Sequence, residues 1–337
     1  MTGDVVDDHG LWFRVENGSA ASAARRAAER LGRQVELPEQ RVADLAIITA
    51  ELTSNLVKHA QEGNLLLRPV RRAGRAGVEL VAVDTGPGMA DLAQSARDGH
   101  STTGTLGIGL GAITRQASWF DGYSLPGRGT ALAVQVWSGP TPATDWVAAL
   151  TRPITGEQVS GDGYAVRVAD GRRQVLVCDG LGHGPLAAAA SGAAVAAFRS
   201  APAGPPAAVV QQLHRSMSHT RGAALAVAEP DPASGLLRYA GLGNIAAMIV
   251  VAGERRRGLV SLPGIAGHQR PVVREYEYPF PPDATLVMQS DGVVDRWDLA
   301  DYPGLAGRAP LLTAAVLLRD AGIRRDDACV LVARAEP

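Results

Sequence analysis

Two rhythms of apolar and polar positions divide the chain. Over residues 37–60, "LPEQRVADLAIITAELTSNLVKHA", Val42, Leu45, Ile48, Thr49, Leu52 and Leu56 recur at the spacing of one helix face, with Pro38 near the first turn. The Ala-rich run 19–32 before it predicts a second helix ending near Gly32. Residues 64–72 and 77–84 then read as neighbouring strands joined at "AGRAG". Short helices at 89–99 and 109–118 flank "HSTTGTLGIG", and strands 119–125 and 129–137 form a hairpin around "PGRG". Helices followed by a mostly antiparallel sheet predict an α+β sandwich.

The rhythm changes after the polar, Pro-containing stretch 138–146. Strand-like runs recur at 164–169, 174–179, 223–229, 236–241, 246–252, 271–278, 285–291 and 328–334. Helix-like runs fall at 185–200, 206–219 and 310–321. Many strands with few helices predict a two-layer sheet sandwich with helical flanks. The whole chain is therefore expected to be α+β, with a first domain over 1–138, a linker over 139–144 and a second domain over 145–337.

Composition adds exclusions. The 337 residues carry a net charge of −1 and are 46% hydrophobic, ample for two cores and without the basic surplus of a nucleic-acid or membrane-surface binder. The acidic start "MTGDVVDDHG" lacks a signal-peptide core, and no apolar run is long enough to span a bilayer, so a cytoplasmic protein is expected. Cys178 and Cys329 sit inside apolar runs and read as core residues; two cysteines alone make no zinc site.

The chemistry lies in polar residues that interrupt these patterns. Glu51 and Asn55 share one face of the helix 37–60, where a solvated edge would be the plain explanation. Asp84 ends an apolar strand and enters "DTGPG", with Gly86 and Gly88. The turn "LGIGLG" at 106–111, with Gly107 and Gly109, opens a helix and offers backbone N–H groups to phosphate. An acid, an amide and a phosphate loop in that order are uncommon by chance.

In the second half, acids stand at strand ends again and again: Asp162 in "VSGDGY", Asp179 in "VCDGLGHG", Asp291 in "QSDGVVD", and Asp326 and Asp327 in "RRDDACVLV". Each alone is an ordinary Asp-Gly turn or strand end. Several carboxylates buried together need cations, and hard oxygen donors without a His/Cys set suit Mg²⁺ or Mn²⁺.

Residues 11–137 resemble the GHKL (HATPase) ATPase fold, in particular the small anti-sigma-factor and stressosome serine kinases. "ELTSN" matches the N box, "DTGPG" and the Gly-rich turn the two glycine boxes, and "GRGT" the terminal box. The resemblance implies that Asn55 holds Mg²⁺ between the phosphates of ATP, and that Asp84 accepts from the adenine amino group with Thr130 in support. It implies further that Gly86, Gly88, Gly107 and Gly109 let backbone approach the nucleotide, residues 98–111 form a lid, and Glu51 is the general base for an incoming serine. Sensor histidine kinases share the fold, but only His9 precedes it here and no long heptad helix does.

Residues 150–335 resemble the PPM (type 2C) phosphatases of the compact bacterial SpoIIE and RsbX class, with an αββα sandwich. Carried over, Asp179 bridges two metals, the Gly180 carbonyl binds one of them, Asp291 and Asp326 complete the other, and Asp162 lies close behind. "DDAC" lacks the Thr often found after the acid pair, and no clear counterpart of the phosphate-binding Arg of the larger eukaryotic enzymes is present. Arg152 and Arg167 are the candidates for that role, and His183 is a candidate acid for the leaving serine, although a loop-structuring role suits it better.

Together the resemblances imply a fused RsbT-like kinase and RsbX-like phosphatase of bacterial partner switching. Its expected substrate is Ser or Thr of a STAS-domain protein, an anti-sigma-factor antagonist or a stressosome scaffold, with a sigma factor or a downstream phosphatase as a further partner. The competing reading is an ATP-binding module that captures a partner without phosphorylating it, leaving the phosphatase as the sole catalyst. Retention of Glu51 favours the kinase.

Overall fold

The structure is a computed structural model that describes residues 5–6, 10–92, 109–143, 146–268 and 272–335. It divides into two compact units, one of residues 1–143 with 307–319, the other of residues 144–306 with 320–337.

In the first unit, strands β1 (Val5–Val6) and β2 (Leu11–Arg14) precede helices α1 (Gly18–Gln34) and α2 (Glu39–His59). Strands β3 (Asn64–Arg72) and β4 (Arg75–Asp84), helix α3 (Gly109–Gln116), and strands β5 (Trp119–Leu125) and β6 (Gly129–Trp137) follow. The sheet runs β1-β3-β4-β6-β5, with β2 also pairing β3, and each pair is antiparallel. Asn17 caps α1 by accepting the Ala20 N–H at 3.0 Å.

The stripe on α2 does what its spacing predicts. Val42, Leu45, Ile48, Leu52 and Leu56 are buried against Leu65, Leu67, Val78, Leu80, Leu132 and Val134 of the sheet. Each such side chain contributes about 1.5–3 kcal/mol of burial.

The opposite face of this sheet is buried as well. Leu66, Arg68, Val70, Glu79, Val81, Val83, Ala131, Ala133, Gln135 and Trp137 all lie below one-tenth exposure. Charge on that face is fully paired: Arg68 Nε donates to Glu79 at 2.7 Å, Gln135 donates to the other Glu79 oxygen at 2.7 Å, and Trp137 Nε1 donates to Gln135 at 3.0 Å.

The second unit holds two sheets. Its elements are β7 (Val147–Arg152), β8 (Asp162–Ala169), β9 (Arg172–Gly180), α4 (Pro185–Ser200), α5 (Pro206–Ser216), β10 (Ala223–Asp231), β11 (Leu236–Leu242) and β12 (Ala246–Val250). They continue with β13 (Arg257–Gly258), β14 (Ser261–Leu262), β15 (Tyr276–Pro279), β16 (Thr285–Gln289) and β17 (Ala328–Arg334). Helix α6 (Pro310–Ala321) intervenes before β17 and lies, to Arg319, within the first unit. One sheet is ordered β14-β11-β10-β9-β8, with β15 on β11; the other is β13-β12-β16-β17-β7. Helices α4 and α5 bury Ala190, Ala194, Phe198, Val209 and Leu213 against Leu176, Leu225 and Val227.

Three expectations change. Strand β7 was not anticipated, yet it closes one sheet by pairing with β17. The apolar run 271–278 pairs only from Tyr276, because Val272 is 63% exposed and has no layer to pack on. The helix expected over 206–219 ends at Ser216, with Met217 as its C-cap. The helix expected over 89–99, most of the lid 98–111 and Gly107 fall outside the described residues. Both cysteines are free and buried. Among the described residues no helix is long and apolar enough to cross a membrane.

Candidate functional site

In the first unit, Glu51 and Asn55 project from α2 toward the start of α3. A Cβ placed on Gly109 would lie 3.0 Å from Glu51 Oε2 and 3.6 Å from Asn55 Oδ1. The carboxylate, the amide and the N-terminus of α3 therefore lie side by side, where helix N–H groups favour an anion.

A second group of residues surrounds Asp84, which closes β4 opposite Thr130 of β6. Its Oδ1 accepts the Gly86 N–H at 2.7 Å, and the Thr130 backbone also stabilises its charge. Burial nevertheless raises its pKa, with Arg319 and His59 as the cations that oppose the rise. Thr130 Oγ1 is 2.9 Å from Ser124 Oγ, which also accepts the Met89 N–H at 2.7 Å. Gly129 has φ +88°, and a Cβ there would run into the Asp84 carbonyl oxygen, so the "GRGT" turn requires glycine. Gly88 backs onto the Leu125 carbonyl in the same turn. The residues suit a purine nucleotide: a half-buried carboxylate held by the Gly86 N–H, and an amide and a carboxylate beside the start of a helix.

In the second unit, register builds the acidic cluster. Asp162 stands directly across from Asp179 on β8 and β9, and Gly180 N–H donates to the Gly161 carbonyl at 3.1 Å. Asp162 is 4% exposed, and its Oδ2 accepts from the Ser290 hydroxyl at 2.6 Å. That hydroxyl also accepts the Cys329 N–H at 2.9 Å, which ties "QSDG" to β17. Asp291 accepts from Asn244 Nδ2 at 2.6 Å. Asp327 turns inward as a brace, accepting the N–H groups of Ile154 and Gly161, both at 2.8 Å. Asp326 is left on the outer side, accepting the Asp327 N–H at 2.9 Å. A Cβ on Gly292 would collide with the Asp327 carbonyl, so "SDG" and "DD" touch through backbone.

Electrostatics separate these carboxyls from ordinary turn acids. Burial, then the charges of Asp291 and Asp326, push Asp179 up to about 7. Asp162 rises well above the usual range through burial and Asp179, against the Ser290 hydrogen bond. Asp326 rises through burial and Asp291, with His183 opposing. Among the described residues no three carboxylate, imidazole or thiol groups already converge on one point. The oxygen-only donors and their mutual repulsion fit a hard divalent cation.

The structure thus brings together Asp162, Asp179, Gly180, Asp291 and Asp326, and separately Glu51, Asn55 and Gly109, and Asp84, Gly86, Gly88 and Thr130. Ser290, Asn244, Ser124 and Arg319 were not anticipated; neutral polar residues in strand-end turns give no spacing signal of their own. Arg167 is committed elsewhere: it donates to the carbonyls of Phe198 at 2.6 Å and Ala201 at 2.7 Å and lies over the Phe198 ring. Arg152 donates to the Ile323 carbonyl at 3.3 Å. His183 is exposed, with Nδ1 3.4 Å from Glu157.

Comparison with known proteins follows the same division. Residues 6–135 match the model of the histidine kinase-like ATPase domain, and residues 169–336 match that of stage II sporulation protein E (SpoIIE). The serine/threonine-protein kinase RsbT of Bacillus subtilis (strain 168) is 36% identical over 115 residues, 33% of this chain and 86% of RsbT. A solved structure described as "The bacterial stressosome: a modular system that has been adapted to control secondary messenger signaling" is similar at TM-score 0.52 and 31% identity, covering 56% of this chain and 98% of the other.

Proposed function

The chain belongs to the histidine kinase-like ATPases through its first half and to the SpoIIE phosphatases through its second, and on that premise we propose that it adds and removes phosphate on one partner, a Ser or Thr of a STAS-domain protein. It is an enzyme, a protein serine/threonine phosphatase joined to a serine kinase domain. The STAS-domain protein would be an anti-sigma-factor antagonist or a stressosome scaffold, met in the cytoplasm.

In the kinase half, Asp84 would accept from the adenine amino group, its carboxylate held by the Gly86 and Thr130 backbone. Asn55 would hold Mg²⁺, and the N–H groups around Gly107 and Gly109 would take phosphate oxygens. Glu51 receives the proton of the attacking hydroxyl. Phosphoryl transfer needs mainly positioning and charge neutralisation, and these residues provide both.

In the phosphatase half, Asp179, the Gly180 carbonyl, Asp291 and Asp326 would hold Mg²⁺ or Mn²⁺. A cation bound there would supply Lewis acidity, drawing charge from a phosphoryl oxygen and easing deprotonation of water. Asp162, with Ser290 behind it, fixes the Asp179 strand end. Asn244 orients Asp291.

The observation that carries the two-activity reading is Glu51, poised beside Asn55 and the start of α3. A site that only bound ATP would have no use for a base at its phosphate end. Labelled ATP, Mg²⁺ and a purified STAS-domain protein test it. Transfer of label to serine or threonine of that protein is expected; bound ATP with no transfer at any time leaves the phosphatase as the sole activity.

A further inference from the structure

Residues 307–319 lie inside the SpoIIE match, yet they are part of the first unit. Helix α6 is anchored there at both ends. On β5, Asp121 Oδ2 accepts the Ala309 N–H at 3.0 Å and Oδ1 accepts from Arg308 at 3.1 Å, placing a carboxylate at the helix start. Asp121 pairs with Ala133, so its side chain is on the sheet face opposite α1 and α2. At the other end, Arg319 Nη1 donates to the backbone carbonyl of Asp84 at 3.2 Å. The Arg319 and His59 charges both favour the ionised Asp84 carboxylate against its burial.

We infer that Arg319 is a positioning residue of the nucleotide site, contributed from the second half of the sequence. This rests on the reading that Asp84 recognises adenine. Recognition of an amino group by one carboxylate needs that carboxylate fixed and charged. The Gly86 N–H fixes one oxygen. Arg319 fixes the main chain of the same residue and supplies the neighbouring positive charge. A base bearing oxygen in place of the amino group sets acceptor against acceptor, so a rigid, ionised Asp84 rejects it strongly and a loosened one rejects it less. Arg319 thereby acts on base discrimination more than on total affinity.

The test uses the full chain with Mg²⁺. Dissociation constants for ATP and inosine triphosphate are measured by calorimetry for the wild type, Arg319→Met and Arg319→Lys. Arg319→Met is expected to weaken ATP about tenfold, the scale of one hydrogen bond to a charged group, while inosine triphosphate changes little, so the ratio of the two affinities falls. Arg319→Lys, which keeps the charge without the fork, is expected to lie between. Equal weakening of both nucleotides, or an unchanged ratio, overturns the inference. If Arg319→Met does not fold, Arg319→Lys decides, and a wild-type ratio there overturns it. A wild type that binds no ATP overturns the nucleotide reading, and this inference with it; ATP binding with an unchanged ratio overturns this inference alone.

Discussion

Asp162 and Asp179 face each other across adjacent antiparallel strands, and the Asp179 charge adds to burial in raising the pKa of Asp162. Asp179 sits near 7 in the fold and near about 3.9 when unfolded. A raised folded pKa contributes stability that is complete below the unfolded value and is lost as pH rises through the folded one. Metal-free protein should therefore melt progressively lower from about pH 4 to about pH 7 and level off above that. Asp179→Asn should flatten that decline, and Mg²⁺ or Mn²⁺ should reverse it in the wild type at pH 8. Thermal melts in chelator across that range check it; a wild-type profile as flat as the variant's contradicts the assigned repulsion.

Ser290 holds a buried carboxylate and a backbone N–H at once. Ser290→Ala leaves both without their partner and should cost about 1–3 kcal/mol, read by urea denaturation in chelator. Phosphatase activity toward a phosphoserine peptide should fall with it, because the Asp162 side of the cluster is no longer held.

The two chemistries should separate by mutation. Glu51→Gln is expected to lower phosphorylation of the STAS-domain partner by about 10²–10⁴-fold and to leave dephosphorylation intact. Asp179→Asn should do the reverse, so that phosphorylated partner accumulates. Time courses of the partner's phosphorylation distinguish the two; loss of both activities in both variants contradicts independent sites.

Metal dependence follows from the donor set. Dephosphorylation should stop in excess chelator and return with Mg²⁺ or Mn²⁺. Activity that persists after exhaustive chelation contradicts the assignment of Asp179, Asp291 and Asp326.

A fragment ending at residue 143 lacks 307–319 and with it the caps on Asp121 and Asp84. It should melt below the first transition of the full chain and bind a hydrophobic dye. Equal stability would show that α6 adds nothing to the first unit.

Periodicity and strand-end acids made much of this visible in the sequence. The α2 stripe from Val42 to Leu56 is buried as its spacing requires, because a period of 3.6 survives any tertiary context. Asp162, Asp179, Asp291 and Asp326 stood out because acids at the ends of apolar runs conflict with burial. Ser290 and Asn244 did not, since a neutral donor is at home in any turn and only strand register brings it to Asp162 or Asp291. Strand β7 was hidden by its place directly after the polar, Pro-containing stretch 138–146, where the chain passes between domains. The place of 307–319 was hidden for a different reason: nothing local in an apolar helix says which unit it will join.

That last feature has a consequence for biosynthesis. Domains usually fold in the order in which they leave the ribosome. Here the first unit draws on residues 307–319, so its sheet emerges early and waits while most of the second half is translated. During that interval Asp121 lacks the Arg308 and Ala309 donors and the Asp84 carbonyl lacks Arg319, and the incomplete unit is open to chaperones or to other nascent chains. Pausing, truncation or splitting of the reading frame between residues 143 and 307 interrupts the assembly of one unit, and the first half is finished only when the second is nearly complete.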